Sequence, residues 1–312
     1  MSFELQLAAY SDLLYASTMF IYALSLLVSI AEYTVRGSQA KANTALGSKE
    51  REGEVRGDGG LLAGEAYAGR RLGLVSLYLL VLGAASHLAS ILSRGVAAHR
   101  WPMANMHEYI SAICLVSIIA WLTVSYRRSR VRIGGVFIIP IVLTLMFLGG
   151  TLLYLPIGPV TPSLKSYWIA FHVSTAVLAS GLFLIPGVTS CLYLIRRGGR
   201  PQRLAGLLPD ESMLDRISYR ATIAAFPIYT VGLILGAIWA EAAWGRYWGW
   251  DPKETVAFVA WVLYAAYLHA RVSAGWGPSR AAFINIAGFA VTVFNLFFIN
   301  LVVTGLHSYA GF

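Results

Sequence analysis

The sequence predicts an all-α polytopic membrane protein with about eight transmembrane helices and both termini on the outer side. Three observations predict it. The 312 residues are 57% hydrophobic and 12% charged, against a charged share of about 25% in a soluble domain, and the mean hydropathy is +0.65. Apolar runs that match a bilayer core, at roughly 20 residues per helix, recur along the whole chain. Lys and Arg gather in alternate connections between those runs.

The first run, 11–31, follows a flank that carries Glu4 and no cation, and no small-residue cleavage site comes after it. That pattern is a true span with its N-terminus outside rather than a cleaved signal peptide. The other runs are 72–93, 107–124, 132–153, 167–195, 222–242, 255–273 and 283–306. With the N-terminus outside, 19 of the 24 Lys and Arg fall on inner connections, and Arg94, Arg100, Lys165, Arg246 and Lys253 remain outside. This is a positive-inside distribution. The net charge of +9 therefore reports topology, and nucleic acid is not an expected partner. Cys114 and Cys191 sit in separate spans without a CxxC. They read as small buried hydrophobes, so thiol chemistry belongs to a partner.

The chain reads as a single integral membrane domain, 1–312. Residues 36–71 are polar, rich in Gly, Ala and mixed charge, and without apolar periodicity. They predict a cytoplasmic loop with a short helix near 61–68. Pro209-Asp210-Glu211-Ser212 starts a helix whose apolar side, Met213, Leu214, Ile217 and Tyr219, predicts a surface segment leading into the sixth span. Gly232 and Gly236, four residues apart, predict close helix contact there.

The outer segment 243–254 holds Trp244-Gly245-Arg246-Tyr247-Trp248-Gly249-Trp250-Asp251-Pro252-Lys253-Glu254. One or two aromatics at a membrane boundary form an interfacial belt. Clustered with glycines that admit a ligand to the backbone, these suit a large planar guest such as a porphyrin. Asp251-Pro252-Lys253-Glu254 also reads as N-cap, N1, N2 and N3 of the seventh span, a capping box. Arg246 and Lys253 are the cations at hand for a porphyrin's propionates.

Six histidines are present, and an intramembrane histidine is costly unless paired or liganded. His172 lies five residues into the fifth span, roughly 7–8 Å below the outer boundary at 1.5 Å per residue, and His307 ends the eighth span at a similar level. Two imidazoles beside an aromatic platform meet the requirement of bis-histidine haem ligation; an interfacial histidine bonded to a carbonyl is the alternative for either one alone. His269 falls in the inner half of the seventh span, too deep for that site. His87 is poorly matched to it in depth, so an iron ligand opposite His269 is expected from another polypeptide, and a core histidine bonded to a neighbouring helix is the alternative. His99 reads as solvated, and His107 as either lining the site or solvated. No HExxH or Cys/His spacing suited to zinc occurs.

These residues carry a resemblance. Trp239-Ala240, the run from Trp244 to Thr255, then Trp261 and Tyr267-Leu268-His269-Ala270-Arg271 resemble the tryptophan-rich signature of the CcsA/ResC cytochrome c assembly proteins of System II. Ser166-Tyr167-Trp168 with His172-Val173-Ser174, Leu214-Asp215 with Tyr219-Arg220, and Gly305-Leu306-His307-Ser308-Tyr309 resemble other segments of that family. The likeness runs from roughly residue 75 to the end. System I haem-handling proteins share only a looser WGxxWxWD core. One departure is Asn105-Met106-His107-Glu108-Tyr109, where the family usually has Asn-Leu-Tyr-Glu-Ser.

The resemblance implies a multi-pass protein of the plasma (inner) membrane that works with a ResB/CcsB-type subunit. It implies a cytochrome c haem lyase that presents haem b at the outer face for thioether attachment to the CxxCH of apocytochrome c, served indirectly by thiol-reducing proteins. His172 and His307 would be the outer axial ligands and His269 the membrane ligand. Trp168, Trp244, Trp248, Trp250 and Asp251 would belong to the haem-binding segment. The residues themselves offer no nucleophile or acid–base pair for the bond-forming step. A haem exporter or chaperone that binds without attaching is the second reading. An electron-transferring cytochrome would need two stacked histidine pairs, which the depths do not supply.

Overall fold

A computed structural model describes residues 3–51, 59–127, 129–158, 160, 162–273 and 275–307. The described residues are helical, with no strand. The helices are α1 (Phe3–Arg51), α2 (Gly59–Ala98), α3 (Met106–Arg127), α4 (Gly135–Thr151), α5 (Tyr167–Gly198), α6 (Gln202–Leu207), α7 (Glu211–Trp244), α8 (Pro252–Val272) and α9 (Pro278–Phe294). All but the short α6 are long and apolar enough to cross a membrane, which gives eight candidate spans in the expected order. The chain is a multi-pass integral membrane protein.

Three boundaries differ from the sequence reading. The segment 36–71 is not a loop at its ends, because α1 runs on to Arg51 and α2 starts at Gly59; the expected helix at 61–68 falls inside α2. Ala, Lys, Glu, Leu and Arg sustain a helix by intrinsic preference without any apolar face. Residues 52–58 lie outside the described residues. The helix that begins at Glu211 is not a separate surface element. It continues through Pro227 to Trp244 as one helix. The last span ends at Ile299 rather than at 306: α9 widens into a π-helical turn, Asn295–Ile299, and the chain then leaves the helix. His307 therefore sits in a turn beyond the span. Cys191 faces out of the bundle, whereas Cys114 is buried.

The central helix is α5, packed against α3, α7 and α9. Phe183 stacks on Tyr264 of α8 at 3.7 Å with planes 4° apart, and Tyr229 of α7 meets the same ring edge-on at 5.5 Å. A second apolar core fills the space between α3, α4 and α5 around Ile110, Ile118, Trp121, Ile139 and Met146.

The α1–α2 pair packs differently. Its buried α1 positions are Ser11, Tyr15, Thr18, Tyr22, Ser25, Ser29 and Glu32, spaced alternately by four and three, the period of a coiled-coil seam. On α2 the buried positions include Gly73, Ser76, Gly83, His87, Ser90 and Arg94. Small residues bring the two backbones close and polar side chains bond across. Ser11 Oγ donates to Ser90 O (2.9 Å), Thr18 Oγ1 to Ser86 Oγ (3.1 Å), and Ser76 Oγ lies 3.0 Å from Ser25 Oγ and 2.7 Å from Ser29 Oγ. A β-carbon at Gly83 would run into the Tyr22 ring.

Contacts between connections define the two ends of the bundle. At one end Tyr154 Oη donates to Asp12 (2.7 Å), Trp239 Nε1 to Ser163 O (3.1 Å) and Leu306 N to Asp251 Oδ1 (2.9 Å). At the other, Arg271 grips Asp215 through two bonds of 2.7 Å and lies over the Tyr219 ring at 5.1 Å. Arg271 of α8 thus joins Asp215 and Tyr219, one turn apart on α7, in a single ion-pair and cation–π cluster.

Candidate functional site

The site is built at the first of these ends. Ser166 caps α5, its hydroxyl accepting from Trp168 N at 3.4 Å, and His172 follows on that helix. Its Nδ1 lies 2.9 Å from the carbonyl oxygen of Gly232 on α7. A carbonyl only accepts, so Nδ1 carries the proton and the neutral ring presents its lone pair at Nε2. Gly236, one turn on, makes room for the ring: a β-carbon there would lie 2.7 Å from His172 Cε1. The glycine spacing seen in the sequence is thus a seat for an imidazole. The ring stacks on Trp239 at 5.8 Å, with planes 7° apart.

His307 reaches the same indole from the other side of the chain. Its ring lies 5.5 Å from Trp239 and 4.9 Å from Trp244, edge-on to both. Asp251 holds it, with Nδ1 donating to Oδ2 at 2.9 Å. The capping box is also present. Asp251 Oδ2 accepts from Lys253 N (3.2 Å), and Glu254 Oε2 accepts from Asp251 N (3.1 Å) and Gly249 N (2.9 Å). One carboxylate therefore starts α8 and orients His307. Burial pushes Asp251 up, but the bonds from Leu306 N and His307 outweigh it and hold the carboxyl below its ordinary value. Burial, reinforced by the Lys253 charge, lowers His307 to about 4. It is neutral at physiological pH, the form that binds a metal.

Both histidines line a partly open cavity, about 1240 Å³ with the open solvent at its mouth included. Its walls include Tyr109 of α3, Trp239 of α7, Tyr247, Trp248 and Lys253 of the tryptophan-rich stretch and α8, and Asn295 and Asn300. Met103, Ala104 and Asn105 close one side. Glu108 fixes that loop. Its carboxylate, 2% exposed with its residue, accepts from Arg94 Nε (2.9 Å), Arg100 Nη1 (2.7 Å), Ala104 N (2.9 Å) and Asn105 Nδ2 (3.1 Å). A buried charge so fully bonded gives a rigid wall.

The structure sorts the residues singled out in the sequence. His172, His307 and Trp248 line the cavity. Trp244 and Asp251 stand behind His307 and touch it. Trp250 is not among the lining residues. It is 67% exposed, sits at φ 56°, and meets only Trp248, edge-on at 5.8 Å, among the aromatic rings described. Trp168 packs on Tyr167 and Phe171. His269 is exposed on the flank of α8 at the opposite end, where Nε2 lies 3.2 Å from Ser273 Oγ. His87 is wholly buried between Ser111 (2.9 Å) and Tyr22 (3.4 Å), so the two do not meet. His107 turns away from the cavity: Nδ1 donates to Gly149 O at 2.8 Å, and the ring packs on Tyr15 and Tyr154. Among the described residues no three His, Cys, Asp or Glu are grouped to hold a bare metal ion.

A family model described as Cytochrome C assembly protein matches residues 103–307. The chain belongs to this family. Those bounds are also the first and last residues of the cavity wall, so the family match covers the whole site and leaves out the α1–α2 pair. The chain is 31% identical over 276 residues to the cytochrome c biogenesis protein CcsA of Chlamydomonas reinhardtii, covering 85% of this chain and 76% of that one. It is 34% identical over 249 residues to CcsA of Prochlorococcus marinus (strain NATL1A), covering 68% and 77%. This places it among the CcsA proteins, with a role in cytochrome c biogenesis. A solved chain of the cytochrome c haem lyase CcmF superposes with a TM-score of 0.64 at 17% identity, over 93% of this chain and 46% of that one. The CcsA-family chain spans just under half of that protein and shares its fold.

Sequence reasoning missed Trp239 as the contact common to both histidines, although the residue opens the tryptophan-rich signature. It also missed the backbone carbonyl of Gly232 as a histidine partner. A glycine pair four residues apart next to a histidine-bearing span was the available signal.

Proposed function

We propose that the cavity binds haem b between His172 and His307, and that the chain is the haem-handling subunit of a System II cytochrome c synthase. The observation that carries this is the arrangement around Trp239. Two neutral imidazoles, each held at Nδ1 by the chain, touch one indole and line one mainly apolar cavity. The donor set fits the group: a porphyrin supplies four of the iron's ligands, and two histidines complete it. When bound, haem supplies the vinyl groups that accept the two CxxCH thiols.

This chain's residues position and orient. Gly232 and Asp251 hold the two rings, the outward interactions that fix a ligating histidine's tautomer and angle. Trp239 and Trp244 pack against them, and the Glu108-pinned loop fixes the opposite wall. The partners under this reading are a ResB/CcsB-type subunit and apocytochrome c. The membrane is the plasma (inner) membrane, with the site on the outer face, supported by the share of cations on the alternate connections. His269, on the open flank of α8, would serve as a membrane haem ligand whose opposite ligand comes from that subunit. The exposed position of His269, remote from the cavity, is also what a haem exporter would use.

Purified chain and partner, incubated with reduced haem and an apocytochrome c, test the reading. Covalent c-type haem in the apocytochrome is the expected product. Haem bound and released without any covalent product would favour the exporter instead.

A further inference from the structure

Lys253 lies in the first turn of α8, and its ammonium reaches into the cavity wall to contact Asn300 Oδ1. A half-buried cation favours a counter-charge in contact with it, and the neighbouring carboxylates are turned to other donors. Asp251 serves Leu306 N, Lys253 N and His307 Nδ1, and Glu254 Oε2 serves Gly249 N and Asp251 N. Among the described residues no carboxylate lies within ion-pair distance, 4.0 Å, of Lys253 Nζ. The same wall holds a second open valence. Asn295 is 9% exposed, its Nδ2 donates to Lys253 O at 3.4 Å, and its Oδ1 is buried without a partner. Asn295 opens the π-helical turn, a distortion that recurs at functional sites.

We infer that this wall is an anion receptor: Lys253, with Asn295 and Asn300 beside it, receives a carboxylate of the cavity's guest. The inference rests on the haem reading and deepens it, the carboxylate then being a propionate. A water bonded to that carboxylate has a second hydrogen to give to Asn295 Oδ1. The other cation of the segment does not compete, because Arg246 lies against Gly249 and is not among the lining residues. The site therefore selects iron porphyrins with a free acid edge. The half-buried ammonium, with no carboxylate in contact among the described residues, favours the filled cavity over the empty one.

The test uses the full chain with its partner in detergent, titrated with haem b and with its dimethyl ester and followed by the Soret band. Wild type is expected to bind the diacid about tenfold or more tighter than the diester, one charge-assisted pair's worth of affinity. Lys253→Met should bring the two affinities together, Lys253→Arg should restore the preference, and Arg246→Met should leave it unchanged. Lys253→Met should also raise the melting temperature of the haem-free protein, which shows that the variant folds. Equal binding of acid and ester by wild type, or an unchanged preference in Lys253→Met, overturns the inference while leaving haem binding intact. Failure of both porphyrins to bind, or binding indifferent to His172→Gly and His307→Gly, overturns the haem reading and this inference with it.

Discussion

The α1–α2 pair and the cavity between α3, α5, α7, α8 and α9 both bury polar side chains inside a membrane bundle, and they do so in opposite ways. In the pair, polar atoms close on one another: serine meets serine, threonine meets serine, and His87 spends both ring nitrogens on Tyr22 and Ser111. In the cavity, each histidine is engaged at Nδ1, while among the described residues Lys253 has no carboxylate in contact and Asn295 Oδ1 no donor. Polar groups satisfied by their own chain hold helices together. Under the haem reading, the groups left incomplete in the cavity are those that a guest would complete.

The sharpest way to break this comparison exchanges the fates of histidines from the two regions. His172→Gly and His307→Gly should each reduce covalent cytochrome c formation below detection, with partial return on adding imidazole. His87→Leu should leave haem content per folded protein unchanged and lower stability by about 1–3 kcal/mol, the cost of stranding its partners. A haem spectrum altered in His87→Leu would erase the distinction.

A smaller effect is expected at Asp251. Asn also caps a helix well, so Asp251→Asn keeps the start of α8 and removes the negative charge behind His307. Haem affinity should fall by about 10–100-fold, the usual cost of losing a partner behind a metal ligand, with the thermal midpoint nearly unchanged. A wild-type haem titration in this variant would show that Asp251 serves the helix alone.

The smallest effect concerns pH. His307 sits at about 4 in the folded protein against an ordinary 6.5. Between those values the unfolded chain binds more protons than the native one, so stability rises with pH across that window. The contribution is complete above about pH 6.5 and is lost as pH falls toward 4. Thermal unfolding of the haem-free protein from pH 7 to 4 should show the decline, and His307→Gln should flatten it. An equally steep decline in the variant would assign it to another group.

Much of the fold was legible in the sequence because eight apolar runs and alternating cations are one-dimensional signals of a bilayer. The helical ends of 36–71 were not, since propensity without amphipathicity leaves no periodicity to read. The α1 seam was hidden for a related reason. Ser11, Thr18, Ser25 and Ser29 carry a heptad spacing, but polar residues on an amphipathic helix usually mark its wet face, and in a membrane that rule inverts. At the site, His172 and His307 were visible as a matched pair in depth. Which tryptophans face the cavity was not visible, because Trp248, Gly249 and Trp250 lie on irregular backbone where no period fixes direction.

The supports behind the two rings are unlike in charge. Behind His307 stands a carboxylate, and behind His172 an amide carbonyl. A carboxylate accepting from Nδ1–H pushes electron density through the ring toward Nε2 more strongly than a neutral carbonyl does. The two imidazoles are therefore unequal Lewis bases, and under the haem reading an electron-pair acceptor held by both would feel a directional field. The cavity has a strong side and a weak side, set by what each ring leans on.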